Sequence, residues 1–123
     1  MVRDFTKEDE IEVRAWYEAR GQEYVGHLPE EGFIEPGVAA GFLYKTDGHF
    51  AMVEGMITNP DAPSYARDAA IDAIANKCHQ KARERGFKQV VALMLKPTLA
   101  QRAVETHGYE IVDAVLMLKK DLN

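Results

Sequence analysis

The sequence predicts an α/β fold, one mixed β-sheet flanked by helices, from three observations. Residues 38–44 and 50–58 are strand-like runs joined by a short polar turn. A long helical pattern follows over residues 64–85. That helix leads directly into residues 90–95, a β-rich and almost wholly apolar run. A strand, a long helix and a buried strand in succession form the crossover that parallel pairing requires, whereas the short turn allows only antiparallel pairing.

The bulk composition sets the frame. A chain of 123 residues, 46% hydrophobic and 28% charged, has material for one core, so a single domain spanning residues 1–123 is expected. The net charge of −5 excludes a general affinity for nucleic acid or anionic membrane, both of which attract clustered Lys and Arg. No apolar run approaches a membrane span, and Met1-Val2-Arg3-Asp4 leads into charge rather than a signal-peptide core, so a soluble cytoplasmic protein is expected. Cys78 is the lone cysteine, and His27, His49, His79 and His107 are scattered; no metal site is expected.

Residues 2–5 form a short strand candidate. Thr6-Lys7-Glu8-Asp9 has capping-box form and starts a first helix, whose buried face holds Val13, Trp16, Tyr17 and the stem of Arg20 and which Gly21 ends. Residues 22–37 carry Gly26, Pro29, Gly32, Pro36 and Gly37, too many breakers for a long element, and read as an irregular segment walling a site. In the hairpin that follows, Asp47-Gly48 supplies the positive φ values of a tight turn. Residues 59–63 break the second strand, and the Ser64 hydroxyl caps the long helix. Its buried stripe is Ala70, Ile71, Ile74, Cys78 and Ala82, and Gly86 ends it. Residues 90–95 read as a central strand covered on both faces. A second capping box, Thr98 to Gln101, opens a shorter helix closed by Gly108, and residues 111–118 form the last strand. The expected order is β-α-β-β-α-β-α-β, with the irregular segment after the first helix.

Glu54 is the one charged residue that strand alternation places among apolar neighbours, with Met52, Met56 and Thr58 on its face and Ala51, Val53, Gly55 and Ile57 on the other. A carboxylate buried there has a raised pKa, suited to a base near neutral pH; exposed at an edge or paired with Lys or Arg, it is structural. Cys78 on the helical stripe reads as core rather than nucleophile, and Gly55 marks a bulge or a close backbone approach.

From residue 38 onward the order resembles the GNAT N-acetyltransferase superfamily. Met56-Ile57-Thr58-Asn59-Pro60 is similar to the family's strand end before the cofactor loop, and Ala82-Arg83-Glu84-Arg85-Gly86-Phe87 to its helix end. Gly108-Tyr109-Glu110-Ile111 and the segment from Met117 to Leu122 are similar to its last helix and strand. The opening, Phe5-Thr6 through Trp16-Tyr17-Glu18-Ala19-Arg20-Gly21, with Ala39-Ala40-Gly41-Phe42-Leu43-Tyr44, further looks like short GNAT-like proteins of bacteriophages, which implies the host cytoplasm. The resemblance implies acetyl-CoA as co-substrate, an amine of a protein or small molecule as acceptor, and Glu54 as base. Cofactor contacts then fall at Ile57, Thr58, Ser64, Tyr65, Ala66 and Arg67, and a homodimer is expected.

The sequence also departs from the family. The family's phosphate loop carries glycines, and Ser64-Tyr65-Ala66-Arg67-Asp68-Ala69-Ala70 has none, while Asp61 and Asp68 bring charge opposed to a phosphate. Val104 stands where the family has the Tyr that protonates the leaving thiolate, and Pro97 where it has an Asn. Tyr109 and Tyr65 are substitute acids, Tyr109 reading rather as core. These losses leave a second reading open: an inactive protein of this fold that binds a protein partner, a host factor if the phage resemblance holds. A variant of it binds coenzyme A as a structural ligand without turnover.

Overall fold

A computed structural model of the chain describes residues 1–22, 28–29, 31–94, 96–116 and 118–122. The chain divides into two compact units, Met1–Leu93 and Met94–Asn123.

In the first unit, a short strand β1 (Arg3–Asp4) meets the capping box that the sequence predicts. The Asp9 carboxylate accepts hydrogen bonds from the Thr6 amide at 2.8 Å and from its hydroxyl at 3.1 Å. Arg3 completes the corner with an ion pair to Asp9 at 2.7 Å. One 3₁₀ turn then leads into α1 (Glu10–Ala19), which buries Val13 and Trp16 and ends at Gly21 with φ +67°.

The segment expected to be irregular contains a strand, β2 (Gly32–Glu35), which pairs antiparallel with β1 on one side and with β3 (Ala39–Lys45) on the other. Glycine and proline counts obscured it. Gly32 is needed where it stands, because a Cβ there would come within 2.3 Å of the Phe42 ring. The neighbours Phe33 and Ile34 alternate between two cores as strand residues do.

β3 pairs antiparallel with β4 (Phe50–Thr58). The turn between them is not the one expected, since Gly48 is absent from the residues at positive φ. A side chain shapes it instead: the Thr46 hydroxyl donates to the Phe50 carbonyl and accepts from the Gly48 amide at 3.1 Å.

α2 (Ser64–Glu84) buries Ala70, Ile74, Ala75, Cys78 and Ala82; Ala75 joins the stripe and Ile71 is half-buried. Gly86, at φ +84°, ends the helix as predicted. The chain returns as β5 (Gln89–Val91), parallel to β4 as the crossover requires. β5 is shorter than expected and is not central: the sheet order is β1-β2-β3-β4-β5, and Val91 is exposed.

Alternation through β2, β3 and β4 sorts the side chains between two layers. Phe33, Ala39, Leu43, Ala51 and Val53 pack with the α2 stripe. Ile34, Ala40, Phe42 and Ile57 pack with Val13 and Trp16 of α1. Neighbouring residues such as Phe42 and Leu43 belong to different layers, so one helix covers each face of the sheet.

The second unit holds α3 (Pro97–His107), which Gly108 closes at φ +73°. Its start differs from the capping box expected. Pro97 occupies the first turn, where its fixed φ and missing N–H cost nothing, and Thr98 therefore lies inside the helix. The strand expected over residues 111–118 does not form among the described residues, and Ile111, Val112, Val115, Leu116 and Leu118 are exposed. A β-rich composition makes a strand only where a ladder takes up its backbone groups, and sequence does not reveal whether one is present.

Candidate functional site

The site is built around a defect in β4. Ala40 pairs with Ile57 and Phe42 with Glu54, so two residues of β4, Gly55 and Met56, stand opposite one of β3. This is a β-bulge, and Gly55 takes φ +71° within it, a conformation glycine adopts without steric cost. The extra residue resets the alternation. Ile57 joins the α1 face, while Met56 packs with Ala51 and Val53 on the α2 face. The single uninterrupted face expected for Met52, Glu54, Met56 and Thr58 is thereby corrected.

The same strand parts from its parallel neighbour one step earlier. Phe50, Ala51 and Met52 pair with Gln89, Val90 and Val91, and the ladder stops there. At the next place the Glu54 side chain bridges the gap, its Oε1 accepting a hydrogen bond from the Leu93 amide. Glu54 is half-buried and its partner is a backbone amide, not the Lys or Arg of the structural alternative. Burial pushes its pKa above the ordinary carboxylate value, and the Leu93 amide, which favours the charged form, offsets only part of the rise. Tyr44 lies on the same face; burial and the Glu54 charge both push its phenol upward.

α1 is tied to β4 on either side of the bulge. The Tyr17 hydroxyl donates to the Gly55 carbonyl at 2.9 Å. Arg20 grips the strand end twice, Nε donating to the Thr58 carbonyl at 2.9 Å and Nη2 to the Thr58 hydroxyl at 2.6 Å. Sequence reasoning placed both residues on the inward face of α1 but gave their polar tips no partner. The available signal was amphipathic: a Tyr and an Arg on a buried face keep their polar ends, which must be satisfied somewhere.

Beyond β4, Asn59 organises the link to α2. Its amide donates to the Val38 carbonyl at 2.8 Å and its side chain to the Gly37 carbonyl at 2.9 Å, while its Oδ1 accepts from the Asp61 amide at 3.0 Å. Pro63, not Ser64, is the N-cap of α2, and no side chain caps the helix. The Pro63 carbonyl takes the Ala66 and Arg67 amides, both at 3.0 Å, so the first-turn amides left without an intrahelical acceptor are those of Ser64 and Tyr65.

The expected cofactor residues thus fall in two groups. Ile57 is buried on the α1 face and can offer only its backbone; the Thr58 hydroxyl and carbonyl are both engaged by Arg20. Ser64 and Tyr65 are exposed at the helix start, with Ala66 and Arg67 half-buried behind them. His27, with Tyr24 and Glu30 of the same segment, lies outside the described residues. Cys78 is fully buried, and burial pushes its thiol up to about 12, which makes it core as the sequence suggested. His49 sits against Gln89 at 3.2 Å, at the root of β5. Tyr109 is half-buried rather than a core residue. Among the described residues no His, Cys, Asp and Glu cluster could hold a metal ion, and no helix is long and apolar enough to cross a membrane.

These features define a class, an α/β protein whose sheet forks where β4 and β5 separate, with a carboxylate in the fork and a helix N-terminus just beyond the strand end. The chain has the fold of the GNAT acetyltransferases. No family model and no curated protein matches the sequence, but solved structures match along its whole length. The aminoglycoside N-acetyltransferase AAC(6')-Iy, solved in complex with CoA, superposes with a TM-score of 0.65 at 16% identity, covering 99% of this chain and 100% of that one. An aminoglycoside acetyltransferase from an uncultured soil metagenomic sample, in complex with sisomicin, gives 0.69 at 12% identity, covering 100% and 96%. A protein described as a transcriptional regulator from Bacillus halodurans also gives 0.69, at 16% identity, covering 98% and 99%.

Proposed function

We propose that this chain is an acyl-CoA-dependent N-acyltransferase, with acetyl-CoA as co-substrate and an amine of a protein or small molecule as acceptor. The observation that carries the reading is Glu54, a half-buried carboxylate of raised pKa placed where β4 and β5 part.

The residues around the fork suit a coenzyme A ligand. Residues 55–58 lie past the last β4–β5 pair; with the Gly55 carbonyl held by Tyr17 and the Thr58 carbonyl by Arg20, a ligand at that edge of β4 would meet the backbone groups that remain. The Ser64 and Tyr65 amides at the start of α2 are donors for phosphate oxygens, and the half-buried Arg67 adds positive charge. When bound, acetyl-CoA supplies an acyl group activated as a thioester.

The chain's own part is proton handling and placement. An aliphatic amine is almost fully protonated at neutral pH and attacks only after losing a proton. The Glu54 carboxylate takes that proton directly or through one water, and its raised pKa makes it a better base than an exposed glutamate. Val104 has no proton to give, so the departing thiolate draws its proton from elsewhere.

A second reading, a non-catalytic protein of this fold that binds a protein partner, is favoured by Val104 and Pro97 at the family's Tyr and Asn positions. Calorimetric titration with acetyl-CoA separates the two. Micromolar binding, about −8 kcal/mol, supports the transferase; no binding at millimolar ligand turns the search to a partner.

A further inference from the structure

Tyr17 does more than pack. Its helix is anchored to the sheet by the buried Val13 and Trp16, so its hydroxyl is a fixed point, and it donates to the Gly55 carbonyl at 2.9 Å. Gly55 is the bulge residue at φ +71°, immediately after Glu54. A glycine in a bulge is the least constrained residue in a strand; its carbonyl lies in the peptide that joins it to Met56, so a bond to that carbonyl fixes ψ of Gly55 and with it the shape of the bulge that Glu54 adjoins.

We propose that Tyr17 is a positioning residue: by holding the Gly55 carbonyl it fixes the bulge next to Glu54, and through the bulge the place from which the Glu54 carboxylate reaches the Leu93 amide across the fork. This rests on the reading of Glu54 as the base. Among the described residues the Tyr44 phenol from β3 and the Leu93 amide after β5 act on Glu54, Tyr17 from α1 reaches the neighbouring Gly55 carbonyl, and no cationic side chain pairs with the carboxylate. Among the described residues the Leu93 amide, not a cation, holds the carboxylate, so its direction depends on the backbone beneath it.

The test is Tyr17→Phe in the full chain, which keeps the ring and removes the donor. In isotope-labelled protein without ligand, the Leu93 amide proton of the wild type should lie downfield and follow the titration of Glu54. In Tyr17→Phe it should move upfield and cease to follow that titration, with other changes confined to residues near the bulge. With acetyl-CoA and a polyamine acceptor, kcat should fall about tenfold with KM for acetyl-CoA unchanged, and Tyr17→Phe should cost nothing further in a Glu54→Gln background. An unmoved Leu93 amide, changes spread through both cores, or additive effects in the double variant would each overturn the proposal. Failure of acetyl-CoA to bind the wild type overturns the transferase reading instead, while the ligand-free spectra still decide whether Tyr17 directs Glu54.

Discussion

Glu54 and Leu93 meet through a carboxylate-to-amide hydrogen bond at the place where the β4–β5 ladder would otherwise have continued. The side chain substitutes for a backbone acceptor. One carboxylate therefore ties β4 to the chain after β5 at the fork, just past the last β4–β5 pair.

Glu54→Gln should lower turnover by about a hundredfold or more while leaving acetyl-CoA affinity unchanged by calorimetry. Unchanged turnover would remove Glu54 from the mechanism. In the wild type the base works only when ionised, so the rate should fall with decreasing pH through a midpoint above the ordinary glutamate value.

The same raised pKa carries a stability consequence of opposite sense. A carboxyl whose folded pKa exceeds its unfolded value binds its proton more tightly when folded. Its stabilisation is complete below the unfolded pKa and is lost as pH rises through the folded one. Glu54→Gln, neutral at every pH, should melt above the wild type at pH 7, with the difference narrowing toward pH 4. A lower melting temperature at pH 7 would show that the Leu93 bond outweighs the burial.

Gly55→Ala should destabilise the fold by about 1–2 kcal/mol in chemical denaturation, because an L-residue at this φ is strained. The added Cβ would also stand 3.0 Å from Phe42 Cδ2 and 3.4 Å from the Tyr17 hydroxyl. Losing this residue should impair the fork as well as stability.

Glu31 is a largely buried carboxylate whose Oε1 lies 2.6 Å from Arg85 and 3.2 Å from Lys45, joining the chain before β2 to the end of α2 and the end of β3. Burial alone would raise its pKa, but the two cations together hold it below the ordinary value. Its contribution is therefore present above the ordinary carboxylate pKa and lost as pH falls through the depressed one. Glu31→Gln should cost about 2 kcal/mol at pH 7, measured by urea denaturation, and progressively less under acid conditions.

Cys78 should resist a thiol reagent in the native protein and react fully on unfolding. Its burial and a thiol pKa near 12 leave almost no thiolate at neutral pH. Labelling at the rate of a free thiol would show that α2 opens locally.

Local signals in the sequence determined much of this protein. The capping box at Thr6 to Asp9, the stripe from Ala70 to Ala82, the glycine stops at positions 21, 86 and 108, and the parallel return after α2 all rest on interactions within one element or on a connection too long for a hairpin. Glu54 also stood out, because a charge in an apolar alternation is visible without coordinates. Tertiary structure decided the rest. β2 was hidden among glycines and prolines, β5 is short and exposed, and residues 111–118 form no strand among those described, since a strand exists only through a partner distant in sequence. The fork depends likewise on distant residues. A bulge at Gly55, held by the Tyr17 hydroxyl, and an amide from Leu93 come to Glu54 and its neighbour only once the chain has folded, and the alternation that revealed the carboxylate could not show what surrounds it.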